Sequence, residues 1–329
     1  MKIVIVDNGG KIPALKYGGT ERVIWGLGKT LNQLGHKVVY LVPEGSYCDF
    51  ADVLFYDETK SFEAQIPDDA DVIHFNFKVN PELSKPYIIT IHGNYEDDTF
   101  FDRNSVFLSK NHAERYNAET YVYNGLDWDD YPEVNLNLER THYHFLGKAT
   151  WKLKNALGAY SIAQKAKINL KVMGGKKWSE YNLKYGKKFL LNSKIDFLGM
   201  VDNEEKTKVA LHSKGLIFPV KWHEPFGLAV IESLYCGSAV FSTPYGALNE
   251  LVTTDVGFTS NRQSELILAI AEADFSPKVC HEYARENFSA KVMTKNYIQL
   301  YEKAINGEAL NKNQPHLKDN SGLELPFYT

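Results

Sequence analysis

Two glutamates eight positions apart, Glu224 and Glu232, stand in the stretch LIFPVKWHEPFGLAVIE that ends at Glu232. A carboxylate accepts hydrogen bonds from hydroxyls, and the backbone amides of Phe226, Gly227 and Leu228 between the two suit an anion. Leu216 to Val220 reads as a short buried strand, ended by Pro219, which cannot sit in a central ladder. Pro225 suits a first helical turn, Gly227 lets backbone approach a ligand, and Ala229, Val230, Ile231 and Leu234 supply an apolar face. With a helix starting at Glu224, both carboxylates face one side, a little over two turns apart. A diphosphate held by amides, with hydroxyl-bearing groups on both flanks, describes a nucleotide sugar. The plainer alternative is an amphipathic helix with two solvated glutamates.

Other residues able to do chemistry lie far off in the sequence. His92 follows the apolar run Tyr87 to Ile91, and a histidine with one ring nitrogen fixed can bond a sugar hydroxyl. His74, at the preceding run, is a weaker candidate, and Asp97 and Asp98 form an acidic loop. Lys148, Lys152 and Lys154 supply cations after a strand-like run, His142 to Leu146. Gly18-Gly19 and Gly174-Gly175 mark close backbone turns. Residues 140–200 carry thirteen Lys or Arg against two acids, Glu180 and Asp196, a net of +11 inside a chain of net charge -4. Diphosphate, an acidic glycan, a lipid phosphate or a membrane surface would each answer that charge, as would plain solvation of a lysine-rich face.

The elements that must position these residues alternate throughout. Lys2 to Val6 is a strand, the helix opening at Gly18-Gly19-Thr20 runs to Leu34 with Thr20 as its N-cap, and Lys37 to Val42 is the next strand. Further strands are read at Val53 to Phe55, Val72 to Phe75, Tyr87 to Ile91, Val106 to Lys110 and Tyr121 to Tyr123. In the second half they fall at Leu170 to Met173, Ile195 to Val201, Leu216 to Val220 and Ala239 to Ser242. Helices fill the gaps, one of them over Lys176 to Asn192, whose aromatic and basic content also suits a membrane contact. Parallel strands with crossover helices give a doubly wound α/β sheet, with ligands beyond the C-terminal strand ends. A length of 329 residues fits two such domains.

The pattern E-P-F-G, then four residues, then E resembles the signature of retaining glycosyltransferases of the GT-B fold, family four, also called glycosyl transferases group 1. Y-G-G-T-E-R around Gly18, T-x-H-G ending in Gly93 and V-Y-N-G-L-D ending in Asp127 are similar to further motifs of that family. The resemblance implies two Rossmann-like domains facing across a cleft. It places the first at 1–125 with 292–305 returning to it, a linker at 126–140, the second at 141–291 and a polar tail at 306–329. It implies that Glu224 holds the transferred sugar, that Phe226, Gly227 and Leu228 hold the diphosphate and that Glu232 holds the ribose. Lys148 and Lys154 would clamp the phosphates, Lys148 standing where the family has Arg and Lys152 competing with Lys154 for the second place. Gly174, Met200 and Val201 would pass the nucleobase, Gly18 and Gly19 would lie across from the phosphates, and His92 would sit beside the sugar. The function implied is retaining transfer of a hexose or N-acetylhexosamine from a UDP- or GDP-linked donor to a glycan or lipid-linked acceptor, in cell-surface polysaccharide or lipopolysaccharide synthesis. A non-catalytic nucleotide-sugar-binding protein and a sugar-nucleotide epimerase are the alternatives.

Other chemistries find less support. The glycine pattern matches neither a dinucleotide fingerprint nor a P-loop, no Asp-x-Asp pair or His/Cys cluster suggests a metal, and no cofactor or nucleic-acid partner is expected. Cys48, Cys236 and Cys280 are too few and scattered for a disulfide framework, and the N-terminal apolar run is too short to be a leader. A cytoplasmic protein, peripheral at most on the membrane, is the expectation.

Overall fold

The computed structural model describes residues 1–14, 18–95, 100–318 and 324–329. The chain forms two compact units, Met1–Trp128 with Phe288–Asn320, and Asp129–Asn287 with Ser321–Thr329.

In the first unit β1 (Lys2–Val6), α1 (Gly19–Gln33), β2 (Lys37–Val42) and β3 (Asp52–Phe55) are followed by α2 (Phe62–Gln65), β4 (Val72–Phe75), β5 (Tyr87–Thr90), β6 (Ser105–Val106) and α3 (Lys110–Arg115). The strands pair in parallel in the order β3-β2-β1-β4-β5-β6. Runs such as Ile3 to Val6 are apolar on both faces because helices cover both, which is why they lack the alternation of a half-exposed strand. Helix α1 turns Val23, Ile24, Leu27 and Leu31 to the sheet. Its N-cap is Gly18, not Thr20, which lies in the first turn. Glu21 reaches back to accept from Gly10 N at 3.1 Å, and a Cβ at Gly18 would meet Glu21 Oε2 and Ala14 Cβ at 2.8 Å.

The second unit runs through β7 (His142–Leu146), a 3-10 turn at Lys152–Lys154, α4 (Ala156–Ala166), β8 (Leu170–Met173), α5 (Glu180–Tyr185), β9 (Ile195–Gly199) and α6 (Asn203–Leu211). It continues through β10 (Ser213–Phe218), α7 (Leu228–Tyr235), β11 (Ala239–Ser242), α8 (Leu248–Leu251), β12 (Gly257–Thr259), α9 (Gln263–Ala271) and α10 (Pro277–Asn287). Its parallel sheet has the order β12-β11-β10-β7-β8-β9. Each sheet is thus doubly wound, with strand order reversing between β1 and β4 in one and between β7 and β10 in the other. Ligands of such sheets bind beyond the carboxyl ends at those reversal points.

The final helix, α11 (Ala290–Ile305), belongs to the first unit. Tyr301 and Tyr297 of α11 bond His74 Nδ1 and Thr90 Oγ1 at 2.8 and 2.9 Å inside that unit. Leu126 N donates to Phe288 O and Ala290 N to Leu126 O, so residues up to Trp128 and from Phe288 lie with the first unit. This moves the expected linker start at 126 and return at 292 by three and four residues.

Two further expectations change. The helix read over Lys176 to Asn192 is only α5 and a 3-10 turn at Lys187–Phe189, broken at Gly186, where a Cβ would meet Leu157 Cδ2 at 3.1 Å. The described residues from 306 onward form no separate polar tail. Asn311, buried, bonds Arg103 O, Ser105 O and the amides of Glu119 and Thr120, while residues 324–329 pack on the second unit.

Candidate active site

Beyond Leu146 the chain turns at Gly147 and enters the 3-10 turn that ends in Lys154. Asn155, in the left-handed region at φ 52°, caps α4 by accepting from Gly158 N and donates its amide to Pro219 O at 2.8 Å. That bond ties the loop after β7 to the loop after β10, the two strands flanking the reversal point. Lys154 Nζ consequently lies 2.6 Å from Glu224 Oε2, with both side chains largely withdrawn from water. Trp222 Nε1 donates to the same oxygen at 2.9 Å. The ammonium also stands 5.0–5.6 Å from the ring centres of Trp151, Phe218 and Trp222, and such faces attract a cation by about 0.5–2 kcal/mol. Lys152 points the other way, exposed and paired with Glu324. The inward lysine is therefore Lys154. Lys148 is exposed on the loop before the turn.

Glu224 is not helical. Helix α7 begins at Leu228 with Gly227 as N-cap at φ 110°, a conformation that admits glycine readily and other residues at a cost. Glu224 instead pairs with Gly246 as an isolated bridge, its carbonyl accepting from Ala247 N at 2.9 Å. A Cβ at Gly246 would fall 2.2 Å from that carbonyl. The expected sharing of one helical face by Glu224 and Glu232 does not hold, since proline and glycine delay the helix by four residues. Phe226 is buried, and with Gly227 as N-cap the amides of Gly227 and Leu228 open the helix, where first-turn amides lack intrahelical partners.

Glu232, one turn into α7, is buried and forms an ion pair with Lys206 of α6. It also accepts from Tyr131 Oη at 2.6 Å, and Lys206 Nζ lies 5.3 Å from the Tyr131 ring centre. The second carboxylate is thus neutralised within the protein. Sequence reading missed Lys206 and Tyr131, because a lysine on a polar helix and a tyrosine in a polar run carry no signal of burial.

Glycines at the carboxyl ends of β7, β8 and β9 lace three strand ends together. Gly174 N donates to Gly199 O at 2.6 Å, Ala149 N donates to Gly174 O at 3.0 Å, and a Cβ at Gly174 would fall 2.2 Å from Gly147 O. Met200, exposed, and Val201, half-buried, follow on the same rim.

In the first unit His92 lies just beyond β5 and its Nε2 shares a hydrogen bond with Asn76 Oδ1 at 3.1 Å. Burial lowers its pKa to about 4, so the ring is neutral at pH 7. His74 is a core residue: its ring nitrogens bond Thr90 and Tyr301, and burial holds its pKa at about 3. That removes it from the candidates. Gly18 and Gly19 open α1. Asp97 and Asp98 lie outside the described residues. Asp7, which sequence reading passed over, directly follows β1 at the reversal point. Gly9 N donates to it at 3.1 Å, yet burial, with Glu21 adding to it, raises its pKa to about 6. Its only signal was its place after the first strand.

A cavity of about 620 Å³ opens at the opposite end of the second sheet, among Thr141, Lys171, Lys194, Asp196 and Lys208, away from these residues. Among the described residues no group of three His, Cys, Asp or Glu could hold a metal ion, and no helix is long and apolar enough to cross a membrane.

Residues 133–287 match the family model of glycosyl transferases group 1. Over 73 residues the chain is 34% identical to a GDP-mannose-dependent alpha-(1-6)-phosphatidylinositol dimannoside mannosyltransferase of Mycobacterium tuberculosis, covering 22% of this chain and 19% of that protein. The match thus spans about a fifth of that relative's length. Among solved structures, a glycosyltransferase involved in avilamycin A biosynthesis superposes with a TM-score of 0.78 at 19% identity, covering 93% of this chain and 98% of the other. HepE of Anabaena in complex with UDP-glucose gives 0.63 at 13%, covering 92% and 99%.

Proposed function

Since residues 133–287 belong to the glycosyl transferases group 1 family and both sheets have the architecture of GT-B glycosyltransferases, we propose that this chain is a retaining glycosyltransferase using a nucleotide-diphospho-sugar. The observation that carries the reading is the Lys154–Glu224 pair at the reversal point of the second sheet, beside the α7 N-terminus. In that role Glu224 accepts hydrogen bonds from the sugar hydroxyls. Lys154, with the amides of Gly227 and Leu228, faces the diphosphate and stabilises the charge gained as the glycosidic bond breaks. The electron pair of that bond goes to the phosphate oxygen. The acceptor hydroxyl forms the new bond on the same face and gives its proton to the leaving phosphate. These residues supply the leaving-group stabilisation without calling on a metal, and no further cofactor enters the proposal. Lys148 adds charge without the paired geometry of arginine. His92, neutral and oriented by Asn76, is suited to bonding a sugar hydroxyl.

The donor is a UDP- or GDP-linked hexose or N-acetylhexosamine, in keeping with the UDP-glucose of the Anabaena structure and the GDP-mannose of the mycobacterial enzyme. The acceptor is a glycan or lipid-linked hydroxyl, in polysaccharide or lipopolysaccharide synthesis at the cytoplasmic face of the membrane. Peripheral membrane contact would use the outward side of residues 176–191, where Trp178 and Leu191 are 64% and 89% exposed among lysines. Vesicles rich in phosphatidylglycerol should sediment the protein at low salt, and neutral vesicles should not.

The test of the main reading is incubation with a panel of nucleotide sugars, following nucleotide release with and without a crude glycolipid extract. Release from no donor, with no rise in melting temperature, would sink it. A binding protein without transfer is the second reading, favoured by Glu232 being already paired with Lys206; it predicts stabilisation by a donor without release.

A further inference from the structure

Residues 324–329 run along the carboxyl rim of the second sheet, and their contacts follow the strand order. Glu324 pairs with both Lys152, in the turn after β7, and Lys221, in the loop after β10. Leu325 N donates to Lys221 O at 2.7 Å. Pro326 O then accepts from Tyr245 Oη, in the loop after β11, at 2.6 Å. Tyr328 finally exchanges bonds with the loop after β12, its amide donating to Asn261 O at 2.8 Å and its carbonyl accepting from Gln263 N at 2.7 Å. The Arg262 guanidinium lies 5.8 Å from its ring. The strap thus crosses, strand by strand, the edge on which the donor site stands.

Its first residue holds the two loops that matter most. Lys152 is two residues from Lys154, Lys221 is three from Glu224, and Lys221 N already donates to Leu153 O at 2.8 Å. Glu324 closes the same junction from outside. The carboxylate gathers two ammonium groups on the outward side, while Lys154, on the inward side, reaches Glu224.

We propose that this strap is a working part of the donor site, with Glu324 as a positioning residue that holds the Lys154 turn against the Glu224 loop. The proposal rests on the donor reading above. It goes beyond that reading in giving residues outside the matched family region a part in binding the diphosphate. Glu324 touches no substrate; it acts through Lys152 and Lys221.

Calorimetric binding of UDP, GDP, uridine and guanosine to the full chain, Glu324→Gln and a chain ending at Lys318 tests it. Because partly exposed ion pairs are weak, Glu324→Gln should lower affinity for the preferred nucleoside diphosphate about threefold, and truncation should lower it tenfold or more. Affinity for the nucleoside should stay the same. The Glu324→Gln deficit should shrink in high salt, since only a screened interaction was removed. A strap that merely stabilises the fold would lower the melting temperature and leave the diphosphate affinity of the folded protein unchanged, which overturns the proposal. Tighter diphosphate binding in Glu324→Gln overturns it also, because Glu324 would then be a competing anion. Failure of the wild-type chain to bind any nucleoside diphosphate would instead defeat the donor reading.

Discussion

The two sheets share one strand order and differ in what they place at its reversal point. The second unit gathers opposite charges there: Lys154 meets Glu224, and Lys206 meets Glu232 close by. The first unit has a buried carboxylate, Asp7, raised to about 6, and a neutral histidine bonded to an amide. One site has its charges compensated in advance, and the other keeps a carboxylate that folding disfavours. Charges settled by partners would suit the diphosphate of the proposed donor, whose arrival would exchange one set of ion pairs for another. An uncompensated carboxylate with a pKa near 6 suits orienting a neutral hydroxyl. Away from these points the units converge. His74 in one and His144 in the other each bond hydroxyls through both ring nitrogens, tying a helix to the sheet through Tyr301 and Ser233.

Acidification gives the largest effect and compares the units directly. Burial lowers the pKa of His74, His92 and His112 in the first unit and of His142 and His144 in the second to between about 3 and 4. The unfolded chain binds these protons more readily, so stability is lost as pH falls below about 6.5, by up to about 1.4 kcal/mol per pH unit for each histidine. Asp7 acts oppositely. Its folded pKa is raised, so its contribution is present below about 4 and lost as pH rises through about 6. Between pH 6 and 4 it offsets one of the three histidines, and these groups should weaken both units at similar rates. Hydrogen exchange resolved by unit checks this, and a first unit whose protection rises on acidification would contradict the assignment of neutral histidines.

Breaking the charge pair should cost next most. In Glu224→Ala the Lys154 ammonium stays mostly buried without its carboxylate, a loss of roughly 3 kcal/mol in unfolding free energy. Transfer should fall about a hundredfold or more. Denaturant titration and initial rates measure the two, and an unchanged midpoint would mean that the pair is not compensated as described.

Asp7→Asn should have the opposite sign. The amide oxygen still accepts from Gly9 N, and the penalty of a buried charge is gone, so stability at pH 7 should rise by roughly 1–3 kcal/mol and match wild type below pH 4. Transfer should fall, as expected where a disfavoured carboxylate is kept for function. Between pH 6 and 4 the variant's first unit should lose stability faster than its second.

The fold was legible because buried strands announce themselves as short apolar runs, and the alternation of strand and helix admits one main architecture. Glu224 and the inward lysine were legible by type. Their geometry was not, because a proline and a left-handed glycine decide where α7 begins, and Pro225 read as a helix starter. The choice between Lys152 and Lys154 turned on Asn155, whose left-handed backbone and bond to Pro219 O set which lysine points inward. Lys206, Tyr131 and Glu324 were not legible at all: each is an ordinary polar residue, and only tertiary contact gives it a partner.

The smallest effect expected sharpens what Glu232 does. Tyr131→Phe removes one hydrogen bond to a charged acceptor and leaves the ring against Lys206. Such a bond is worth about 1.5 kcal/mol, the low end of the range for a charged acceptor, because Lys206 remains as a partner. If Glu232 exchanges Tyr131 for a ribose hydroxyl when nucleotide binds, the variant lacks a competitor, and nucleoside affinity should rise up to about tenfold. If the Lys206–Glu232–Tyr131 group is only a brace between α6, α7 and the chain before β7, the variant should lose about 1 kcal/mol of stability and bind nucleoside as wild type does. Calorimetry with uridine and guanosine, beside a denaturant titration on the same preparation, separates these outcomes. Tighter nucleoside binding would support the exchange of Tyr131 for ribose at Glu232, and a loss of stability alone would support the brace.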